Sequence, residues 1–377
     1  MFFMIKKIYD FLKKLYHAEM SFRKWCIFTV AVSLTIVLGA ALLVFIVDPF
    51  YRYREPFFYD MVYHEIYATA PHLLSKEDYN VLMLGTSMTR NFFLEDIDRA
   101  YNCKSIKLAA SGGTCEDLCK FFEVAKASKG DKLQHVIWSL DIYPLNKVGN
   151  HYSDFDYMYS NDYSQEYRYL FSRKAYSTIF YLVKRKVRPK RQRAHQTDRN
   201  RMFATEYKGK PYGLKAVMKD ARKNERIHHT QQPYDPVQHQ KNFYGRLLPI
   251  FANNPQIHFT VYLPPYHIYT YCQSEKFGEA DALIRQRTEV MLELLKLPNV
   301  ELHDFQADPE YVEKHEYFSD VQHFSNIAAR RLLADLKSGR RRLTTPGEIL
   351  ANEQALRDLI RKNMPEYNWN IKNFKER

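Results

Sequence analysis

A serine that closes a short apolar run and opens onto a helix is placed to act as a nucleophile, and this chain carries one in Gly85-Thr86-Ser87, directly after Asn80–Leu84. There the hydroxyl sits at the carboxyl edge of a buried strand. The backbone N–H groups of the turn can stabilise an anion that develops on an attacked carbonyl. Serine needs a base to remove its proton. Far along the chain, Asp320-Val321-Gln322-His323 offers one. On a loop, that spacing lets the carboxylate reach one ring nitrogen, fixes the tautomer and leaves the other nitrogen to face a hydroxyl. Either pattern alone also arises where it only closes a turn or caps a helix; their joint placement carries the reading. His315 and Glu316 lie close by but lack the helical spacing of a His-Glu-x-x-His metal site.

The elements that must position these residues alternate. Apolar runs at Asn80–Leu84, Ser105–Ala109, His135–Leu140, Ile257–Leu263 and Val300–Phe305 read as buried strands. Helical patterns occupy Asn91–Tyr101, the segment from the N-cap Thr114 to about Ala127, Glu279–Leu295 and Asn326–Leu336. Strands alternating with helices predict an α/β domain with a central parallel sheet, covered on both faces, over residues 51–337. Ligands of such sheets bind at the carboxyl ends of the strands. The alternation lapses between about 145 and 251, an insertion rich in tyrosine at first and then strongly basic from Lys184 to Arg193. That basic run reads as a solvated loop, or as a surface for an anionic polymer or phospholipid headgroups. Residues 338–377 form a basic tail with a helical segment near Glu348–Lys362.

The chain of 377 residues has a formal net charge of +13, which suits an anionic partner. Topology narrows the choice. Trp25–Val47 holds no charged residue and would reach ~34 Å as a helix, enough to span a bilayer. It is too long for the apolar core of a signal peptide and ends without a small-residue cleavage site, so it reads as one uncleaved anchor. The lysines and arginines of residues 1–24 keep that side in the cytoplasm and export everything after Asp48. Phe2–Tyr16 is itself amphipathic and is expected to lie on the inner membrane surface. Membrane lipid is therefore an expected partner and nucleic acid is not. Outside the anchor stand Cys103, Cys115, Cys119 and Cys272, which allow one or two disulfides; no matching Cys or His pair completes a zinc site. Neither Gly-x-Gly-x-x-Gly nor a Walker pattern is present, and no cofactor is expected.

A nucleophile after the first sheet strand and Asp-x-x-His before the last helix resemble the arrangement of the SGNH, or GDSL-like, hydrolase superfamily. Gly85-Thr86-Ser87-Met88-Thr89 resembles its nucleophile block, and Leu108-Ala109-Ala110-Ser111-Gly112-Gly113-Thr114 its second block. The resemblance implies a three-layer, flavodoxin-like fold. It also implies Ser87 as nucleophile, His323 as base, Asp320 as its orienter, and a backbone N–H of Gly112 or Gly113 for the oxyanion. The family's third block places an asparagine where this chain reads Ser139-Leu140-Asp141, so the oxyanion site must be completed differently. Asp141 is then a residue that orients a loop or binds substrate.

The anchor and that departure resemble the branch that D-alanylates lipoteichoic acid or O-acetylates exopolysaccharide, often beside a multi-pass membrane-bound O-acyltransferase. Val261-Tyr262-Leu263-Pro264-Pro265-Tyr266 is similar to a loop of those proteins, which implies Tyr266 and His267 on the rim of the site. The expected activity is transfer or removal of an ester-linked acyl group on a cell-envelope polymer. The alternative is a non-catalytic module that binds polysaccharide or scaffolds a synthesis complex.

Overall fold

A computed structural model of the chain describes residues 6, 21–63, 65–160, 162–187, 197–204, 211–227 and 235–374. Apart from Lys6, the amphipathic segment expected at Phe2–Tyr16 lies outside the described residues, as does the basic run beyond Val187.

Helix α1, Phe22–Val47, is long and apolar enough to cross a membrane, and of its side chains only Val44 is buried. It stops at Asp48, which takes a left-handed conformation before Pro49, a residue with no N–H to continue the helix. Helix α2, Ile66–Lys76, leads into β1, Val81–Thr86. Then follow α3, Leu94–Tyr101; β2, Ser105–Ala110; α4, Cys115–Lys129; and β3, His135–Ser139. The insertion contributes α5, Arg173–Val187; α6, Leu214–Ile227; and α7, Pro236–Asn242. The chain resumes with β4, His258–Leu263; α8, Ile268–Lys276; α9, Ala280–Leu294; β5, Val300–Asp304; α10, Asn326–Ser338; β6, Arg342–Leu343; and α11, Pro346–Asn373.

The six strands form one sheet in the order β2-β1-β3-β4-β5-β6. The first five are parallel, in registers such as Val81↔Ser105, Val81↔His135 and Phe259↔Val300, whereas β6 is antiparallel to β5. Every residue of the central, apolar β1 is buried, and so is every residue of the edge strand β2, Ser105 and Lys107 included. The result is a mostly parallel α/β fold flanked by helices, with one apolar helix ahead of it.

Helix α4 starts at the expected N-cap. The Thr114 hydroxyl accepts the Asp117 N–H, and the Asp117 carboxylate accepts the Thr114 N–H. Helix α3 starts at Leu94, later than its pattern predicts. Residues 87–89 form a tight 3-10 turn, and Asn91 is engaged across the molecule.

A second, smaller apolar cluster lies away from the sheet. It joins Val44 and Phe50 at the end of α1 to Phe155, Tyr169, Ala175 and Ile179 of the insertion. Asp48 is its polar centre, accepting from the N–H groups of Arg52, Tyr53 and Arg54 and from the Tyr169 hydroxyl. Arg52 pairs with Glu166 at 2.7 Å across the same junction.

Candidate active site

Ser87 stands at the carboxyl end of β1 as the first residue of the 3-10 turn. Gly85 is required just before it. A Cβ there would come within 2.6 Å of the Thr89 methyl and 2.7 Å of the Ser139 Cβ, so β1 and β3 could not approach as they do. The turn is held from three sides. Thr89 donates its hydroxyl to the Thr86 carbonyl at 2.9 Å. From β2, the buried Lys107 donates to the carbonyls of Arg90 and Phe92. Burial, helped by the charge of Arg90, pulls the Lys107 amine down to about 7. Finally, Asn91 donates to the Phe324 carbonyl at 2.6 Å while Asn326 donates to the Asn91 carbonyl at 2.8 Å. These reciprocal amide bonds tie the Ser87 turn directly to the loop that carries His323.

That loop brings the two distant patterns together. His323 Nε2 lies 2.6 Å from Ser87 Oγ, and His323 Nδ1 lies 2.9 Å from both oxygens of Asp320. With the carboxylate at Nδ1 the proton belongs there, leaving Nε2 to accept from the serine. Asp320 also accepts the N–H groups of Gln322 at 2.9 Å and His323 at 2.7 Å. Burial would raise its carboxyl. The His323 ring and these N–H groups outweigh that and hold it at about 2.

Ser87, Asp320 and His323 line one cavity of about 620 Å3, together with Gly112, Gly113, Asp141 and Tyr266. Gly112 has φ +67, a left-handed conformation, and the Gly113 N–H is engaged with the Ala110 carbonyl at 2.9 Å. Of the two glycines, Gly112 therefore has the N–H that no backbone carbonyl among the described residues engages. Its carbonyl accepts from Lys147 Nζ at 2.8 Å, which brings a cation into the cavity wall. Partial desolvation lowers the Lys147 amine, opposed by Asp141 and Asp117.

Asp141 is buried with both oxygens occupied, accepting from the hydroxyls of Thr86 and of Tyr266, the latter at 2.5 Å. It links the residue before Ser87 to the Pro264-Pro265 loop. Burial raises its carboxyl against those two donors and the charges of His323 and Lys147. Tyr266 lines the cavity wall, whereas His267 does not reach it. Instead His267 is fully buried, accepts the Tyr269 N–H to cap α8 and meets His315 at 2.7 Å between ring nitrogens.

Sequence reasoning missed Lys147, Asp220 and the Asn91–Asn326 pair. Asp220 on α6 accepts the Val321 N–H at 3.3 Å, so the second part of the insertion buttresses the Asp320–His323 loop. Only the sheet topology brings these residues near Ser87, and no local pattern marks them.

The five cysteines are free thiols, with Cys115 and Cys119 3.8 Å apart between sulfurs on α4. Among the described residues no group of three or more His, Cys, Asp or Glu side chains is placed to hold a metal ion. No family model matches the chain, and no curated protein matches its sequence with significance.

Proposed function

We propose that the chain is a membrane-anchored serine acyltransferase or esterase acting outside the cytoplasm on ester-linked acyl groups of a cell-envelope polymer. The observation that carries this is the unbroken hydrogen-bonded series Ser87–His323–Asp320 opening into a cavity at the carboxyl edge of a parallel sheet. Ser87 attacks the acyl carbonyl as His323 takes its proton, and Asp320 stabilises the imidazolium that forms. The Gly112 N–H faces the developing oxyanion, and Lys147 holds the adjoining Gly112–Gly113 peptide by its carbonyl, which steadies the turn that presents this N–H. Protonated His323 then gives its proton to the leaving group, and a sugar hydroxyl or water releases the acyl group from Ser87.

The strand order β2-β1-β3-β4-β5 is that of flavodoxin-like sheets, which supports the three-layer SGNH reading. Basic residues before α1 favour an inside N-terminus and an exported catalytic body, and a multi-pass O-acyltransferase is the proposed donor partner. The absence of the third-block asparagine, with Asp141 in its region and fully engaged, favours the second reading, a non-catalytic polysaccharide binder.

Full-length protein treated with a fluorophosphonate probe separates the two. Labelling of the wild type that disappears in Ser87→Ala and His323→Ala, with unchanged circular dichroism, establishes the acyl-enzyme. A folded wild type that reacts with neither this probe nor p-nitrophenyl acetate supports the binder.

A further inference from the structure

Helix α5 has two apolar faces. One, formed by Ala175 and Ile179 with the buried Thr178 beside them, packs into the cluster that also holds Val44 of α1. The other is the stripe Phe180, Val183 and Val187, which is 70%, 56% and 71% exposed and is covered by no described residue. At 100° per residue these three share one side of the helix, next to the buried face, and Lys184 borders them on the solvent side. A large apolar stripe with a basic border on a helix that is already packed marks a surface that seeks a second apolar medium.

The surroundings identify that medium. Val44 lies one turn before the end of α1, so α5 is fixed against the anchor near its exit end. Phe57, 72% exposed, stacks edge-on with Phe58 at 4.9 Å, and Arg54 bridges the rings of Phe45 and Phe57. Beyond Phe58, Tyr59 donates to the carbonyls of Val47 and Asp48, so this aromatic loop is tied to the last residues of the anchor. Aromatic rings and arginines at the end of an apolar span are the groups that settle at the lipid headgroup level. The chain continues from α5 into Arg188-Pro189-Lys190-Arg191-Gln192-Arg193, whose charge complements anionic headgroups.

We infer that α5 and the Phe57–Phe58 loop form a collar that lies in the outer leaflet of the same bilayer α1 crosses, with anionic phospholipid as its ligand. This rests on the reading of α1 as a membrane anchor.

The test uses the full-length chain reconstituted in phosphatidylcholine–phosphatidylglycerol vesicles, with Phe180→Trp and Leu34→Trp compared separately with the unsubstituted protein. Both positions are exposed in the isolated chain, so neither change disturbs the core. The added tryptophan at 180 is expected to shift to the blue, to resist iodide, and to lose emission when the acyl chains carry bromine close to the headgroup. The one at 34 is expected to lose emission only with deeply placed bromine. Iodide quenching at 180 with no bromine effect, while 34 still reports the bilayer, overturns the collar and leaves the stripe to water or a protein partner. Absence of bromine quenching at both positions overturns the anchor itself, and the collar with it.

Discussion

At the end of α1, Asp48 accepts three backbone N–H groups and the Tyr169 hydroxyl; at the sheet edge, Asp320 accepts two backbone N–H groups and the His323 ring. Both are carboxylates locked in short loops by their own backbone, the strong form of charge-assisted hydrogen bond. They differ in what the side-chain donor does with its other side. The Tyr169 oxygen accepts the Phe50 N–H at 3.2 Å, so the Asp48 network turns back into the protein and ends there. His323 presents a second nitrogen to Ser87 at the wall of a cavity. A polar network satisfied entirely within the protein holds shape, whereas one that ends on a titratable group facing a cavity can move a proton.

Substitutions should separate the two regions, beginning with the site. In Ser87→Ala, turnover of an activated ester is expected to fall on the order of 10^6-fold, and in Asp320→Asn on the order of 10^4-fold, with folding retained in both. Asp48→Ala should do the reverse. Leaving its donors without an acceptor is expected to cost about 3 kcal/mol in chemical unfolding, while turnover per folded molecule stays unchanged. A loss of activity larger than the loss of folded protein would break the distinction.

Acid sharpens it further. Asp320 is held at about 2, below its ordinary value, so its stabilisation is present above pH ~4 and is lost as pH falls through that depressed value. The contribution, about 2 kcal/mol, should be absent from the acid unfolding curve of Asp320→Asn. The smallest effect is expected at Lys147. Lys147→Met should lower kcat roughly tenfold with KM nearly unchanged, and Lys147→Arg should restore part of it.

The two regions were also unequally legible in the sequence. Strands β1 to β5 fall within one or two residues of the runs that mark them, most plainly at β1, because a strand buried on both faces has few polar residues to blur it, whereas β5 carries Glu301, His303 and Asp304. Thr114 with Asp117 marked the start of α4 for a local reason, the capping box. Ser87 stood out because it follows the end of a strand, and Asp320 and His323 because they stand just before the start of a helix. Helix α8 was hidden behind Pro264-Pro265 in Ile-Tyr-Thr-Tyr-Cys-Gln-Ser-Glu-Lys, whose polar residues Thr270 and Ser274 are buried as well as its apolar ones. The junction at the end of α1 could not be read either. Glu166 and Tyr169 lie more than a hundred residues from their partners Arg52 and Asp48, and no spacing rule links them. His267 was misplaced for the same reason, since its partner His315 comes from a segment 48 residues away.

The packing of Val44 and Phe50 into the insertion leaves no slack between helix and body. With α1 across the bilayer, a catalyst on a loose linker would sweep a volume set by the linker's length, and its effective concentration at any one point would fall as that length grew. A body welded to its mast instead keeps one height and one tilt and gains range only by drifting sideways in the membrane. On the proposed function its search for an acceptor is two-dimensional, and a polymer is modified only where it passes at the level of the cavity mouth.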